Sequence, residues 1–266
     1  MKTIAIAQQK GGTGKTTTAH AVGAGLKAKG KRVLFVDLDP QANLSYITGA
    51  KPDGLSVLDV LTGTATAAEA TQTTASAAII PGTAHLAGAD ATLAGKVYAL
   101  AEALKPVARK FDYCVLDTPP ALGALTVAAL TAADTVIIPC LPDVLSIRAL
   151  EQIAETINVI RANCNKRLEI AGVLLTRYTQ RQVLTRDIEA VFAKAAESIG
   201  TRLFKTRIRE TVSIMSSRSN APTTSRYLFV MSAPIRASWS SPTRNRSRRS
   251  SSTSSRMPSR PWKAKW

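Results

Sequence analysis

The first 215 residues alternate short apolar runs with longer segments of helical period. Runs at 3–8 (TIAIAQ), 32–37 (RVLFVD), 113–117 (YCVLD), 135–140 (TVIIPC) and 170–176 (IAGVLLT) are rich in Val, Ile and Leu on both faces. A strand that is apolar on both faces belongs inside a mostly parallel sheet covered by helices above and below. The stretches between them predict helices at about 15–29, 92–109, 123–133, 144–162 and 182–198, long enough for right-handed crossovers. The expected architecture is α/β: a doubly wound, mostly parallel sheet with helices on both faces. In such folds ligands bind outside the carboxyl ends of the strands, and the candidate motifs sit at those ends.

The pattern stops near residue 215. From Ser216 to Trp266 there are eleven Lys/Arg, no Asp/Glu, fifteen Ser, five Pro and all three Trp, without helical or alternating period. Such a composition does not bury enough apolar surface to fold, so two parts are expected: a folded domain at 1–215 and a disordered basic tail at 216–266. The net charge of +17 therefore divides unevenly, because residues 1–215 carry 24 Lys/Arg against all 18 acids. Two origins fit the tail: a natural basic arm that binds DNA, or translation out of frame after about Ile214. The loss of every acid and of apolar periodicity favours the second.

Length and composition set the remaining bounds. A chain of 266 residues with 45% hydrophobic content can bury one sizeable α/β core. No run approaches the ~18 apolar residues of a membrane span and no apolar leader follows Met1-Lys2, which together read as cytoplasmic and without stable membrane insertion. Cys114, Cys140 and Cys164 lack the spacing of a zinc site or a disulfide framework. His20 and His85 have no partner motif and read as packed or solvated side chains.

The stretch QQKGGTGKTTT, from Gln8 to Thr18, follows the first strand and opens the first helix. Counting back from Gly14-Lys15-Thr16, Gln9 stands where a standard Walker A loop has its first glycine, and an additional lysine, Lys10, precedes Gly11-Gly12. Gly11, Gly12 and Gly14 let backbone N–H groups turn inward around phosphate oxygens, and the next helix presents its positive end. Lys15 is placed to reach the β- and γ-phosphates, and the Thr16 hydroxyl to bind Mg²⁺. Asp117 closes YCVLD in the position of a Walker B carboxylate that holds the metal, usually through water. Asp37 and Asp39 end the second strand, where a carboxylate can orient the attacking water or touch the metal; for Asp37 a capping role is equally open.

KGGTGKTT (10–17), FVDLDPQAN (35–43) and VLDTPP (115–120), in that order and spacing, resemble the ParA/MinD superfamily of deviant Walker ATPases, and ParA-type partition ATPases most. The resemblance runs from Lys2 to about Ile214. It implies a P-loop NTPase fold, with ATP and Mg²⁺ as ligands. The nucleotide set it implies is Lys10, Gly11, Gly12, Thr13, Gly14, Lys15, Thr16 and Thr17, with Thr176-Arg177 and Ile208-Arg209 lining the adenine pocket. Thr16, Asp39 and Asp117 are implied at the metal, and Lys10, Lys15 and Asp39 in catalysis. Lys10 would cross a nucleotide-sandwich homodimer to the phosphates of the other subunit, a charge-assisted contact available only in the ATP dimer.

The implied partners are non-specific double-stranded DNA on the nucleoid and a ParB-like centromere-binding protein that stimulates hydrolysis. Arg181, Arg186, Lys194, Arg202, Lys205 and Arg207 are the DNA candidates, and a solvated helix face accounts for several of them as well. A MinD-like membrane regulator would need an amphipathic C-terminal helix, which the tail does not provide. An iron protein of the nitrogenase-reductase type would need cluster cysteines beyond Cys140. A bacterial tyrosine kinase would need a tyrosine-rich tail, and only Tyr227 is there.

Overall fold

The computed structural model describes residues 1–178 and 183–209, with side chains from 187 onward in the second segment. Arg181 and the tail at 216–266 lie outside the described residues, as does the side chain of Arg186. The described residues fall within one compact unit.

Eight strands form one sheet: β1 (Lys2–Ile6), β2 (Val33–Asp37), β3 (Gln72–Thr73), β4 (Ala78–Ile80), β5 (Tyr113–Asp117), β6 (Thr135–Cys140), β7 (Glu169–Tyr178) and β8 (Leu203–Arg209). Their order is β3-β4-β2-β5-β1-β6-β7-β8, parallel throughout except for the β3–β4 pair. The chain winds outward from β1 in one direction through β2 and in the other through β6, so the topological switch lies at β1. The helices are α1 (Lys15–Ala28), α2 (Asn43–Thr48), α3 (Val57–Thr62), α4 (Ala67–Ala70), α5 (Ala99–Leu104), α6 (Ala124–Ala132), α7 (Val144–Asn163) and α8 (Val183–Ser198).

All five expected strands form where the apolar runs place them. Every residue of β2 is buried, because alternate side chains feed two separate cores. Leu34 and Val36 join Leu116, Leu130 and Ile153 on one face. Val33 and Phe35 join Val115, Ile79 and Ala19 on the other. A sheet buried on both sides this way leaves only its strand ends open to a ligand.

Four expected helices also form. The fifth differs, since 92–109 is α-helical only over Ala99–Leu104. Gly95 takes a left-handed φ of 75° before it, and Pro106, which has no N–H to continue the ladder, follows it.

The α1–β2 contact requires a glycine. A Cβ added at Gly23 would overlap the ring of Phe35, which is 2% exposed and has no room to withdraw. Gly23→Val is therefore expected to destabilise the protein by about 1–3 kcal/mol, the ordinary cost of overpacking a filled core. Urea unfolding should show a lower midpoint at unchanged slope.

Candidate nucleotide site

Three strand ends stand abreast, because the parallel register pairs Ile6 with Asp117 and Asp117 with Asp37. The loop from Gln8 to Gly14 leaves the first of these ends. Gln8 is buried, donating from Nε2 to the Cys140 Sγ at 3.3 Å while its Oε1 accepts the Gln9 N–H at 2.8 Å. Gly12 and Gly14 take φ values of 71° and 79°, the left-handed region that a side chain disfavours, and Gly14 caps α1. The turn is pinned from the far side of the switch point. The buried Thr176 hydroxyl, on β7, faces the Thr13 carbonyl at 2.8 Å and the Cys140 carbonyl at 3.2 Å.

The two lysines of the loop are held differently. Lys15 is buried, with its Nζ 3.4 Å from the Lys10 carbonyl. Burial pushes its ammonium below the ordinary lysine range, against the opposing pull of Asp117 and Asp39. Lys10 points away from the loop. Its Nζ lies 2.9 and 2.8 Å from the two oxygens of Asp143 and 3.3 Å from the Ser146 hydroxyl, at the start of α7. Asp143 also caps that helix, accepting the Ser146 N–H at 2.8 Å. Partial burial raises the Asp143 carboxyl, but Lys10 and Ser146 more than offset it and hold it below its usual value.

Three carboxylates end the central strands in three different environments. Asp37 is spent internally, because it accepts the Ser45 N–H at 2.8 Å, the Ser45 hydroxyl at 2.7 Å and the Asp39 N–H at 3.2 Å. Of the two roles open to Asp37, the geometry selects the structural one: it fixes the start of α2. Asp39 is nearly buried, accepts the Gln41 N–H at 2.9 Å and faces the cavity. Asp117 is fully buried, and neither of its oxygens has a hydrogen-bond partner among the described residues. Burial raises its carboxyl well above the ordinary range, the charges of Asp37 and Asp39 add to the rise, and the Thr16 hydroxyl and Lys15 oppose it. Thr16 stands near this carboxylate without closing a bond of good geometry.

A cavity of about 460 Å³ opens above the loop. Gly11, Gly12, Thr13, Gly14, Lys15, Thr16 and Thr17 form its floor; Asp39 comes from the end of β2, and Thr176, Arg177, Ile208 and Arg209 from the ends of β7 and β8. The structure thus brings the loop and both adenine-pocket segments to one space. Asp117 sits behind the lining, next to Thr16. Asn43, Ile47 and Pro120 also line it. Asn43 and Pro120 fall inside motifs legible in the sequence, whereas Ile47 had no signal of its own.

The basic candidates on the C-terminal half separate. Lys194, Arg202 and Lys205 are exposed. Arg207 is partly buried: it pairs with Glu189 at 2.7 Å, bonds the Phe204 carbonyl and lies 5.9 Å from the Tyr178 ring centre, so it ties β8 to α8. No described helix is long and apolar enough to cross a membrane.

A family model described as an AAA domain matches residues 1–170. The chromosome partitioning protein ParA of Caulobacter vibrioides is 39% identical over 197 residues, covering 71% of this chain and 74% of that protein. The sporulation initiation inhibitor protein Soj of Bacillus subtilis is 36% identical over 226 residues, 82% of this chain and 88% of that one. Among solved structures, a Mycobacterium smegmatis protein described as cobyrinic acid a,c-diamide synthase, with bound ADP and magnesium, is 40% identical with a TM-score of 0.70 over 73% of this chain and 82% of its own. With the lysine-bearing loop, the strand-end aspartates and identity sustained over more than two thirds of the length, the chain belongs to the ParA/Soj family of P-loop ATPases.

Proposed function

We propose that residues 1–215 form an ATP-dependent DNA partition ATPase, which closes as a homodimer on ATP and Mg²⁺, binds double-stranded DNA non-specifically, and is released when a ParB-like partner stimulates slow hydrolysis. The observation that carries the reading is the unpartnered, buried Asp117 carboxylate set behind Thr16, at the foot of a phosphate-sized glycine loop. An acid kept without a hydrogen bond is costly unless something charged arrives to use it. Its setback suits a metal held through water, with the Thr16 hydroxyl as the direct ligand. Mg²⁺ there would neutralise charge on the β- and γ-phosphates.

The chain's own residues divide the remaining work. Inward N–H groups of Gly11 to Thr17 and the start of α1 bind the phosphates. The buried Lys15 ammonium, depressed while the site holds only carboxylates, regains its charge partner when phosphate arrives. Asp39, facing the cavity with one oxygen engaged by Gln41, orients the attacking water. Thr176, Arg177, Ile208 and Arg209 supply the wall for the base. Lys10 reaches the partner's phosphates only by leaving Asp143, so dimer closure exchanges one carboxylate for a phosphate. One of the named relatives, that of Caulobacter vibrioides, is described as a chromosome partitioning protein, which supports the same reading for this chain.

Lys15→Ala should abolish ATP binding, while Lys10→Ala should retain ATP affinity within about threefold and fail to dimerise. Fluorescent-nucleotide titration and light scattering separate the two effects. Equal loss of ATP affinity in both variants would overturn the role of Lys10 across the dimer.

Asp39→Ala should arrest hydrolysis and accumulate the ATP dimer, because it removes water orientation and leaves the phosphate cradle whole. Single-turnover phosphate release reads this directly, and a wild-type rate would make Asp39 structural.

Asp117→Asn should raise the stability of the nucleotide-free protein by about 1–3 kcal/mol at neutral pH and abolish the Mg²⁺ dependence of ATP affinity. The folded-state pKa lies above the ordinary 3.8, so the native state binds the proton more tightly than the unfolded chain. The gain should vanish below pH about 4 and grow as pH rises through the folded pKa. Thermal melts of both proteins from acid to neutral pH measure it.

A further inference from the structure

The segment that follows β4 touches both loops that carry the strand-end carboxylates. Its first turn packs on the loop after β2. The Gly82 N–H donates to the Ser45 hydroxyl at 2.9 Å, and a Cβ added at Gly82 would lie 3.0 Å from the Asp37 carbonyl oxygen and 3.1 Å from that of Asp39. Leu86, Ala89 and Leu93 then enter the larger core and fix the path of the segment. From this anchored turn the Asp90 carboxylate reaches the start of α6, where it accepts the Ala124 N–H at 2.7 Å.

The contact closes the far end of the loop at 118–123, which joins Asp117 to α6 and places Pro120 on the cavity. At its near end the buried Thr118 hydroxyl donates to the Ile6 carbonyl at 2.9 Å, and in its middle the Ala121 carbonyl accepts the Thr126 hydroxyl at 2.7 Å. Gly123 is the N-cap of α6, with φ −86° and ψ −169°. Any residue adopts that backbone, and Ser, Asn or Asp there would cap the helix from its own position. The glycine is required by its neighbour instead, because a Cβ would come within 2.5 and 2.6 Å of the two Asp90 oxygens. The cap is thus supplied from 34 residues upstream. Such a cap stabilises the helix no better than a local one, but it ties the helix start to the segment that packs on Asp37 and Asp39.

We infer that Asp90 is a positioning residue of the nucleotide site. Its carboxylate holds the Asp117–Gly123 loop at a fixed distance from the Asp39 loop, with the segment from Gly82 to Asp90 as the brace between them. Asp90 touches neither nucleotide nor metal; it acts through Gly123 and Ala124 on where Asp117 and Pro120 stand. The assignment rests on the ATPase reading of the cavity and adds to it a residue outside the lining.

The test uses the full-length protein as Asp90→Ala, Asp90→Asn, Gly123→Ala and the double variant Asp90→Ala/Gly123→Ala. In Asp90→Ala, kcat should fall about tenfold, as for a modest displacement of reacting groups, with KM for ATP within about twofold because the glycine loop is untouched. The half-saturating Mg²⁺ concentration should rise by about three- to tenfold, less than for a direct partner of a metal ligand. Asp90→Asn keeps an oxygen for the Ala124 N–H and should restore all three values. Gly123→Ala displaces the carboxylate and should reproduce Asp90→Ala, and the double variant should be no worse than either single one. Without nucleotide, amide exchange over 118–126 should quicken in Asp90→Ala, and the urea midpoints of the four proteins should show the same non-additivity. Additive midpoints would overturn the contact. Non-additive midpoints with wild-type kcat and Mg²⁺ dependence in Asp90→Ala would overturn the positioning role and leave a helix cap. Failure of the ATPase reading would look different: the wild type would itself show no Mg²⁺-dependent turnover, and the assignment would fall with it.

Discussion

The constraint on which the site depends is the placement of a bare carboxylate at the ends of aligned parallel strands. Asp117 is abreast of Ile6 and Asp37, out of water and without a hydrogen bond among the described residues. In a finished core this arrangement would be selected against, since the same strand end could hold an asparagine or a threonine at lower cost. Its neighbours are arranged accordingly: Asp37 has its oxygens engaged by Ser45 and the Asp39 N–H, leaving Asp117 as the carboxyl without a hydrogen bond among the described residues, and Lys15 supplies a buried cation nearby without bonding it directly. Stability has been given up at one atom group so that binding has something to complete.

The same economy governs Lys10. Free in solution, a lysine beside a glycine loop would sample many rotamers, and ordering it at a phosphate would cost side-chain entropy. Asp143 has already ordered it, by a two-oxygen contact that also caps α7. Breaking that contact costs little in a half-exposed setting, because such pairs contribute on the order of 1 kcal/mol or less. A triphosphate enclosed between subunits is a far stronger competitor for the ammonium than one half-exposed carboxylate. In the proposed dimer the pair would be a weak hold that an enclosed phosphate releases.

Much of this was legible in the sequence, for reasons that show where legibility ends. Strands buried on both faces are written as unbroken apolar runs, so β1, β2, β5, β6 and β7 could be placed within a residue or two. β8, with Leu203, Lys205, Arg207 and Arg209 in a mixed edge segment, has no such run, and its charges read as a ligand surface. The contact with Glu189 engages Arg207 within the fold, and no local pattern announces a partner on another element. Asp143 was hidden for the same reason: it lies 133 residues from Lys10, in an ordinary helix cap. The loop was readable because its chemistry is contiguous. Its restraints were not, because Thr176 and Cys140 reach it from other strands.

A parallel sheet sorts chemistry by end. Every crossover returns the chain to the amino-terminal edge, where a helix finishes and a strand begins, and there cations meet the negative ends of helices at no cost to the core. At the carboxyl edge the loops are free to carry glycines and acids, and β1, β2 and β5 use them. The polarity of charge therefore follows from the direction of the strands. On the proposed reading, a nucleotide phosphate is captured at the carboxyl edge by backbone N–H groups and one buried lysine, and not by the cations of the opposite edge.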